Sequence, residues 1–285
     1  MIIIKFSGGL GNQMFQYALY KSFCEKGIET YADTSFYDTN SCHNGFELEK
    51  LFPIQLKRID IAYVKEYAYT SNNIFSKFFR KFFPKETFYQ EIGEKSIIYN
   101  PKVFEFKNKY LFGYWQSEKY FKEIESIIRN EFTFREDALD VDTELLKKIA
   151  SDNSVSMHIR RGDYLNTPIY KDVCTLEYYN NAINFIKKHV ENPKLYIFSN
   201  DIEWCKRKFK NENFYFVENR NKSMAFMDMF YMKNCKNNII ANSSFSWWAA
   251  WLNSNRDKIV IAPDKWLNYD IGSSDIIPET WISFS

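Results

Sequence analysis

The C-terminal half of the chain alternates short apolar segments with helical patterns, and this rhythm constrains the fold more than any other feature. Strand-like segments are expected at residues 155–159, 195–199, 214–217, 238–241 and 258–262. Helical patterns are expected at residues 176–189, 203–210, 223–235 and 245–252. Strands that alternate with helices predict βαβ units and a parallel, doubly wound sheet.

The N-terminus predicts a second unit of the same kind. Residues 2–6 form an apolar segment, and residues 12–26 form a helical pattern that Gly27 closes at the position after the C-cap. Residues 28–32 then return as a parallel strand, which completes a βαβ unit. Residues 46–136 are rich in Phe, Tyr and Lys and define their elements less well.

The length of the chain fits two domains. A chain of 285 residues can bury two cores of ordinary size. We expect an N-terminal domain at residues 1–150 and a C-terminal Rossmann-like domain at residues 151–285. The boundary falls in the charged stretch at residues 135–152.

A glycine-rich turn separates the first strand from the first helix. Gly8, Gly9 and Gly11 allow close approach of a ligand to the backbone, and the start of a helix attracts anions. Met14 stands where a dinucleotide fingerprint needs its third glycine, and the Gly-Lys-Ser/Thr of a Walker loop is missing. A loop of the ATP-pyrophosphatase type matches only up to Gly9. A phosphate-contacting turn and a plain tight turn both remain open.

Four ionisable residues lie at the end of the first strand of the C-terminal half and directly after it. They are His158, Arg160, Arg161 and Asp163. Ligands of α/β proteins bind at the carboxyl ends of strands, and guanidinium groups fit phosphate oxygens bidentately. A surface ion pair between an arginine and Asp163 is the alternative, but the density of the cluster favours a binding site.

A third segment, residues 237–253, runs from a buried strand into a helix that begins near Ser244, Phe245 and Ser246. Free amides and small hydroxyls at such a start would hold phosphate. Asp201 ends the neighbouring strand and is expected near the same crevice. Three tryptophans follow at helical spacing, as in a core stripe: Trp247, Trp248 and Trp251.

Four segments in this order, GGLGNQMFQYA, HIRRGDY, FSND and ANSSFSWWAAWLN, resemble glycosyltransferase family 11, whose members are α-1,2-fucosyltransferases that use GDP-fucose. The resemblance implies a GT-B-like α/β fold, with two Rossmann-like domains facing a cleft. It implies an inverting enzyme that moves L-fucose to the 2-hydroxyl of a terminal β-galactoside in a surface glycan or oligosaccharide, without a cofactor or metal. A fucosyltransferase for another acceptor or linkage, such as a protein O-fucosyltransferase, and a non-catalytic sugar-nucleotide-binding protein remain open.

The resemblance also implies roles for single residues. Arg160 would carry the β-phosphate, with Arg160 or Arg161 neutralising the leaving GDP, and His158 would approach the nucleoside. Donor contacts are further expected from Gly9, Gly11, Asn12, Asp201, Asp228, Ser244, Phe245 and Ser246. Of these, Asp228 resembles the acidic residue that reads guanine. We expect no Asp-x-Asp motif of the metal-binding kind.

The catalytic base is not identified by these motifs. Asp163 is the nearest candidate by position, followed by His158. Asp163 could equally be a structural partner that aims one of the arginines.

An amphipathic segment lies outside the motifs. Its apolar side carries Phe75, Phe78, Phe79, Phe82 and Phe83, and basic residues occupy the opposite side. Such a helix can lie on an anionic membrane, or it can pack its aromatic face into the core. The membrane alternative agrees with a lipid-linked acceptor.

Charge, cysteines and hydropathy bound the remaining possibilities. A net charge of +2 gives no support for a nucleic-acid partner, and none is expected. The 5 cysteines are scattered without metal-ligand spacing and are expected to be reduced thiols. Without a signal peptide or membrane span, we expect a cytoplasmic protein, with peripheral contact at the inner face of the membrane as an option.

Overall fold

The computed structural model describes residues 1–40, 44–68, 74–83, 85–218, 224–268 and 274–285, apart from the side chain of Arg80. The chain divides into two compact units, Met1–Arg135 and Glu136–Ser285. Each unit has its own parallel sheet and its own helices. The α/β prediction is thereby confirmed.

The sheet of unit 1 has the order β2-β1-β4-β3, and its strands pair in parallel. The strands are β1 (Ile2–Lys5), β2 (Thr30–Asp33), β3 (Phe88–Glu91) and β4 (Lys109–Gly113). The α-helices are α1 (Leu10–Glu25), α2 (Phe36–Thr39), α3 (Leu48–Leu51), α4 (Ile61–Tyr67), α5 (Ile74–Phe82) and α6 (Glu125–Glu131). Short 3-10 helices are Gly93–Ile97, Pro101–Glu105, Glu118–Tyr120 and Lys122–Ile124.

The first βαβ unit forms as predicted. The β1 strand is buried along its whole length, and the α1 helix ends with Gly27 in a left-handed conformation at φ +71°. Ile28 N–H donates to the carbonyl of Phe23 and Gly27 N–H donates to that of Cys24, the two hydrogen bonds of a Schellman motif. Glycine is favoured at this cap because it adopts positive φ without steric cost.

The sheet of unit 2 has the order β10-β9-β8-β5-β6-β7, again with parallel pairing. Its strands are β5 (Ser154–Ile159), β6 (Lys194–Ser199), β7 (Phe214–Phe216), β8 (Asn237–Ile239), β9 (Val260–Pro263) and β10 (Ile282–Phe284). Its α-helices are α7 (Thr143–Ser151), α8 (Leu176–His189), α9 (Ile202–Lys208), α10 (Phe226–Asn234) and α11 (Ser244–Leu252). Short 3-10 helices in the described part of this unit are Glu136–Ala138 and Gly162–Asn166.

The strand order of unit 2 reverses at its centre. From β5 the chain adds β6 and β7 on one side, and then β8, β9 and β10 on the other. This is the order of a doubly wound nucleotide-binding fold, in which ligands bind beyond the carboxyl ends of the strands at the reversal. The reversal here lies between β5 and β8.

The domain boundary differs from the predicted one. The units meet at Arg135 and Glu136, at the start of the charged stretch, and not after residue 150. The reason is α7, whose Ile149 is fully buried. Asp142 also donates its backbone N–H to the hydroxyl of Tyr231 at 2.7 Å, so the segment before β5 belongs to unit 2.

The tryptophan stripe on α11 is core, as the spacing indicated. Trp247 and Trp248 are fully buried and Trp251 is 3% exposed. The indole N–H of Trp247 donates to the carbonyl of Ile276 at 2.7 Å, which satisfies its buried donor. The α5 helix behaves differently, because its aromatic side chains are exposed, so the core interpretation of that segment is wrong.

Within the part of the chain that the structure describes, no helix combines the length and the apolar character needed to cross a bilayer.

Candidate functional site

The alternation of β5 separates the two arginines that follow it. Val155, Met157 and Ile159 pack in a core cluster with residues of α8, so His158 lies on the opposite face of the sheet. Two residues later Arg160 follows on the side of His158, whereas Arg161 turns toward α9. Neighbouring arginines therefore have different surroundings.

Arg161 is engaged within the protein. Its Nε donates to the carboxylate of Asp201 at 3.1 Å, and its guanidinium lies 3.8 Å from the ring centroid of Trp204. The other carboxylate oxygen of Asp201 accepts from the backbone N–H of Trp204 at 3.2 Å and caps α9. Arg161 and Asp201, both predicted at the donor site, thus form an ion pair with each other. This pair also stabilises the turn between β6 and α9.

The backbone after Arg161 depends on glycine. Gly162 has φ +45°, and a Cβ there would lie 2.4 Å from Nδ2 of Asn200. The side-chain oxygen of Asn200 accepts from the backbone N–H of Arg161 at 2.9 Å. This close packing sets the direction in which the loop leaves β5.

Arg160 has a buried donor that makes no hydrogen bond to the described residues. One terminal nitrogen (Nη2) contacts the carboxylate of Asp163 at 2.8 Å, and the guanidinium lies 5.4 Å from the ring centroid of Tyr164. Its Nε is buried and finds no hydrogen-bond acceptor among the described residues. An unsatisfied guanidinium N–H is a suitable donor for an incoming anionic oxygen.

His158 is buried beside this arginine. Burial and, to a lesser extent, the positive charge of Arg160 lower the pKa of His158 from 6.5 to about 3. Its Nδ1 has no hydrogen-bond partner in the described part of the chain, and its ring lies 5.9 Å from that of Phe245. A neutral imidazole can hydrogen-bond a ligand, but a pKa this low makes it a weak base.

The start of α11 completes the site. The N-cap residue, Ser243, has extended backbone and makes no side-chain capping bond, which leaves the first amides of the helix without that partner. Ser246 turns its hydroxyl back toward the carbonyls of Ala241 and Ser243, at 3.4 and 3.3 Å, and is fully buried. Ser244 and Phe245 are only half-buried, so they are the accessible residues of this turn.

The ends of β5 and β8 meet because these strands pair directly. The hydroxyl of Tyr164 donates to the carbonyl of Asn242 at 3.3 Å, which joins the loop after β5 to the turn before α11. The predicted residues His158, Arg160 and Phe245 are thus brought together at the reversal of strand order. Asp228, on the first turn of α10, is half-buried.

The glycine-rich turn of unit 1 lies between β1 and α1. Gly8 has φ +82°, and a Cβ there would lie 2.7 Å from Nδ2 of Asn12. Gly9 is the N-cap of α1 and makes no side-chain capping bond, so Gly11 lies in an uncapped first turn. The side-chain oxygen of Asn12 accepts from Gln116 at 2.8 Å. The turn has the open helix start that phosphate contact requires.

Two buried glutamines that sequence reasoning missed hold this turn. Gln13 donates to the carbonyls of Gly8 and Gly45 at 3.1 and 2.9 Å. Gln16 donates to the carbonyl of Gly113 at 3.0 Å and accepts from the backbone N–H of Ser7. Polar residues on an otherwise apolar helix were the available signal.

One Asp-x-Asp triplet occurs in the sequence, at residues 140–142. Asp140 and Asp142 flank Val141, but Asp142 is the N-cap of α7 and accepts from the amides of Glu144 and Leu145. The triplet begins a helix and does not follow a strand at the site described above.

Comparison with known proteins gives one consistent answer. The family model described as glycosyl transferase family 11 matches residues 1–284. An α-1,2-colitosyltransferase of Escherichia coli is 38% identical, covering 99% of this chain and 98% of that protein. The O-antigen biosynthesis glycosyltransferase WbnK of Escherichia coli is 34% identical over 97% of this chain and 98% of that protein.

Among solved structures, the fucosyltransferase NodZ from Bradyrhizobium has a TM-score of 0.49 and 11% identity, with 87% of this chain and 91% of that chain covered. The family model and the two Escherichia coli relatives match nearly the full chain. The chain belongs to glycosyltransferase family 11.

Proposed function

We propose that the protein is an inverting α-1,2-fucosyltransferase that moves L-fucose from GDP-fucose to the 2-hydroxyl of a terminal β-galactoside. The observation that carries this proposal is the buried, unsatisfied Nε of Arg160 beside His158 and the uncapped start of α11. A galactoside 2-α-L-fucosyltransferase of Caenorhabditis elegans, 26% identical over 59% of this chain and 50% of that protein, agrees with the proposed reaction.

In this reaction the oxygen of the acceptor hydroxyl forms a bond to the anomeric carbon and releases its proton to the solvent, while the bond from that carbon to the diphosphate breaks. Negative charge develops on the departing diphosphate, and the Arg160 guanidinium neutralises it. The carboxylate of Asp163 lies 2.8 Å from Nη2 of Arg160, so we propose Asp163 as a residue that positions Arg160. His158 offers a neutral hydrogen-bonding group to the nucleotide, and the first amides of α11 bind phosphate oxygens.

Further donor contacts are proposed at two more places in the chain. The first turn of α1, with Gly9, Gly11 and Asn12, contacts the β-phosphate or the sugar. Asp228 reads the guanine base. The arginine supplies the positive charge that other glycosyltransferases obtain from a cation, so no divalent metal is needed.

A second donor is favoured by one specific observation. The relative of 38% identity is a colitosyltransferase, and colitose is fucose without its 3-hydroxyl. A site built to hydrogen-bond that hydroxyl would reject colitose, whereas an apolar site would discriminate weakly between the two sugars.

The acceptor is proposed to be a galactose-terminated oligosaccharide carried on a lipid at the cytoplasmic face of the membrane. The O-antigen biosynthesis relative supports a surface glycan.

The test is a matrix of donors and acceptors. GDP-fucose and GDP-colitose are each offered with β-galactosides, with a folded protein domain and with water alone, in the presence and absence of EDTA. We expect GDP release from GDP-fucose with β-galactosides only, an α-1,2 linkage by NMR, and no loss in EDTA. Turnover of GDP-colitose alone would establish the second donor, and tight nucleotide binding without transfer would indicate a non-catalytic protein.

A further inference from the structure

The α5 helix exposes a continuous group of large apolar side chains. The aromatic residues of α5 and Phe83, directly after it, show the following exposed fractions: Phe75 74%, Phe78 50%, Phe79 43%, Phe82 57% and Phe83 60%. Ile74, at the start of the helix, is 83% exposed. Soluble proteins rarely expose contiguous apolar patches of this kind, and such patches commonly mark interaction surfaces.

The patch is one face of an amphipathic helix. Its members lie at helical spacing, and the rings of Phe78 and Phe82 approach to 4.5 Å between centroids. The rings of Phe79 and Phe83 lie 5.8 Å apart. These contacts run along the helix, so the aromatic side chains form one ordered surface.

The charge of the same segment has a single sign. Residues 74–83 contain Lys77, Arg80 and Lys81 and no acidic residue. Lys77 and Lys81 are exposed, and no carboxylate of the described residues forms an ion pair with either. The Nζ of Lys81 lies 5.6 Å from the ring centroid of Phe82, so cation and aromatic surface adjoin.

The segment is tied to unit 1 just after the helix. Lys85 donates its Nζ to the carbonyls of Lys65 and Glu66, at 2.8 and 2.9 Å, at the end of α4. Thr87 donates its hydroxyl to the carbonyl of Tyr67 at 2.8 Å. Because these hydrogen bonds fix the segment to unit 1, a surface that binds α5 also holds unit 1.

We propose that α5 docks the protein on an anionic lipid bilayer, with the phenylalanines in the interfacial region and the lysines at the lipid headgroups. Aromatic residues opposite a basic face are the features of helices that lie in this interface. A second copy of the chain fits less well, because pairing α5 with α5 would bring like charges together. The inference deepens the proposed membrane location and does not depend on which sugar is transferred.

The test measures co-sedimentation of the full chain with vesicles of phosphatidylglycerol and phosphatidylethanolamine, and with vesicles of phosphatidylcholine alone. We expect binding to the anionic vesicles that falls several-fold as salt rises from about 0.1 to about 0.5 M, because the Debye length shortens. Replacing Phe78 and Phe82 by Ser should weaken binding at least about tenfold, since two apolar side chains no longer leave water. Lys77→Glu with Lys81→Glu should abolish the preference for anionic lipid.

A matched control removes two exposed apolar side chains elsewhere. Leu176 and Ile98, which are 40% and 38% exposed, are both replaced by Ser, and vesicle binding should stay at the wild-type level. Thermal midpoints and turnover of a soluble β-galactoside should be unchanged in the Phe78→Ser, Phe82→Ser variant, because α5 lies outside the proposed catalytic machinery. Vesicle binding is measured without substrate, so its result can be interpreted even if the proposed reaction fails.

Three results would overturn the proposal. Wild-type vesicle binding by the phenylalanine variant would show that another surface docks. A large loss of thermal stability in the phenylalanine variant, but not in the control variant, would show that α5 packs against the rest of the protein. Self-association that the variant abolishes, without vesicle binding, would identify a second copy as the partner.

Discussion

The guanidinium of Arg160 is the residue on which the proposed chemistry depends most directly. Removing a donor aimed at developing charge costs about 10²–10³ in rate, so Arg160→Ala should lose that much kcat while keeping the fold. Arg160→Lys should remain poor, because an ammonium does not reproduce the planar fork. Steady-state kinetics with a thermal melt provide the measurement, and near wild-type turnover by folded Arg160→Ala would contradict the assignment.

Arg161 offers the matched comparison at the next position. Because its Nε is held by Asp201 and its guanidinium stacks on Trp204, Arg161→Ala should lower stability as well as activity. The thermal midpoint should therefore be lower for Arg161→Ala than for Arg160→Ala.

The buried imidazole of His158 links stability to pH. Its pKa of about 3 lies below the 6.5 of the unfolded chain, so the unfolded state binds the proton first as pH falls. The contribution of the neutral imidazole is fully present above pH 6.5 and is lost as pH falls toward 3. Between about pH 7.5 and about pH 5 this one group should cost the folded state about 2 kcal/mol.

Urea denaturation at these two pH values measures the effect. The variant His158→Asn should lose about 2 kcal/mol less than wild type over the same interval. His189→Asn, which removes an exposed imidazole at the end of α8, is the control for a general effect of losing a histidine. Equal pH slopes for wild type and His158→Asn would show that folding does not lower the pKa of His158.

At the scale of elements, the turn into α1 is defined by Gly8 and the exit from the same helix by Gly27. Both have positive φ, but only at Gly8 would a Cβ meet a neighbour, Nδ2 of Asn12 at 2.7 Å. Gly27→Ala should cost about 1–2 kcal/mol of stability from backbone strain alone. Gly8→Ala should cost more and should also raise KM for the sugar nucleotide, because Asn12 must move.

The comparison of these two variants separates strain from site geometry. Equal KM values for Gly8→Ala and Gly27→Ala would show that the glycine-rich turn does not contact the sugar nucleotide. Denaturation midpoints and donor saturation curves of the two proteins decide the matter.

At the scale of the whole molecule, the boundary at Glu136 predicts which fragment folds. A fragment of residues 136–285 retains α7 and the buried side chain of Ile149, whereas one of residues 151–285 exposes the surface that α7 covers. Losing a buried aliphatic side chain costs about 2–5 kcal/mol, so the shorter fragment should be markedly less stable. Urea denaturation of the two fragments tests this, and equal stabilities would restore the boundary near residue 150.

Much of unit 2 was accessible from the sequence because its elements are local and periodic. The helix at Leu176–His189 was predicted to the residue, and the five predicted strands all occur with shifted ends. The β10 strand was missed, since three residues at the sheet edge are too short for a periodic signal. In unit 1, β3 and β4 were missed because they lie in the aromatic-rich middle, where strand and helix patterns look alike.

By itself the sequence determined the alternation of strands and helices, the glycine at the end of α1 and the charged loop after β5, because each depends on neighbours along the chain. Only the tertiary structure decided that β8 pairs with β5, which brings Phe245 to His158 and Arg160. It also decided that Arg161 is held by Asp201 while Arg160 keeps an unsatisfied donor, and that the aromatic face of α5 meets solvent. Burial, pKa and partner choice depend on atoms that are distant in sequence, and a local pattern contains no information about which of them will be close.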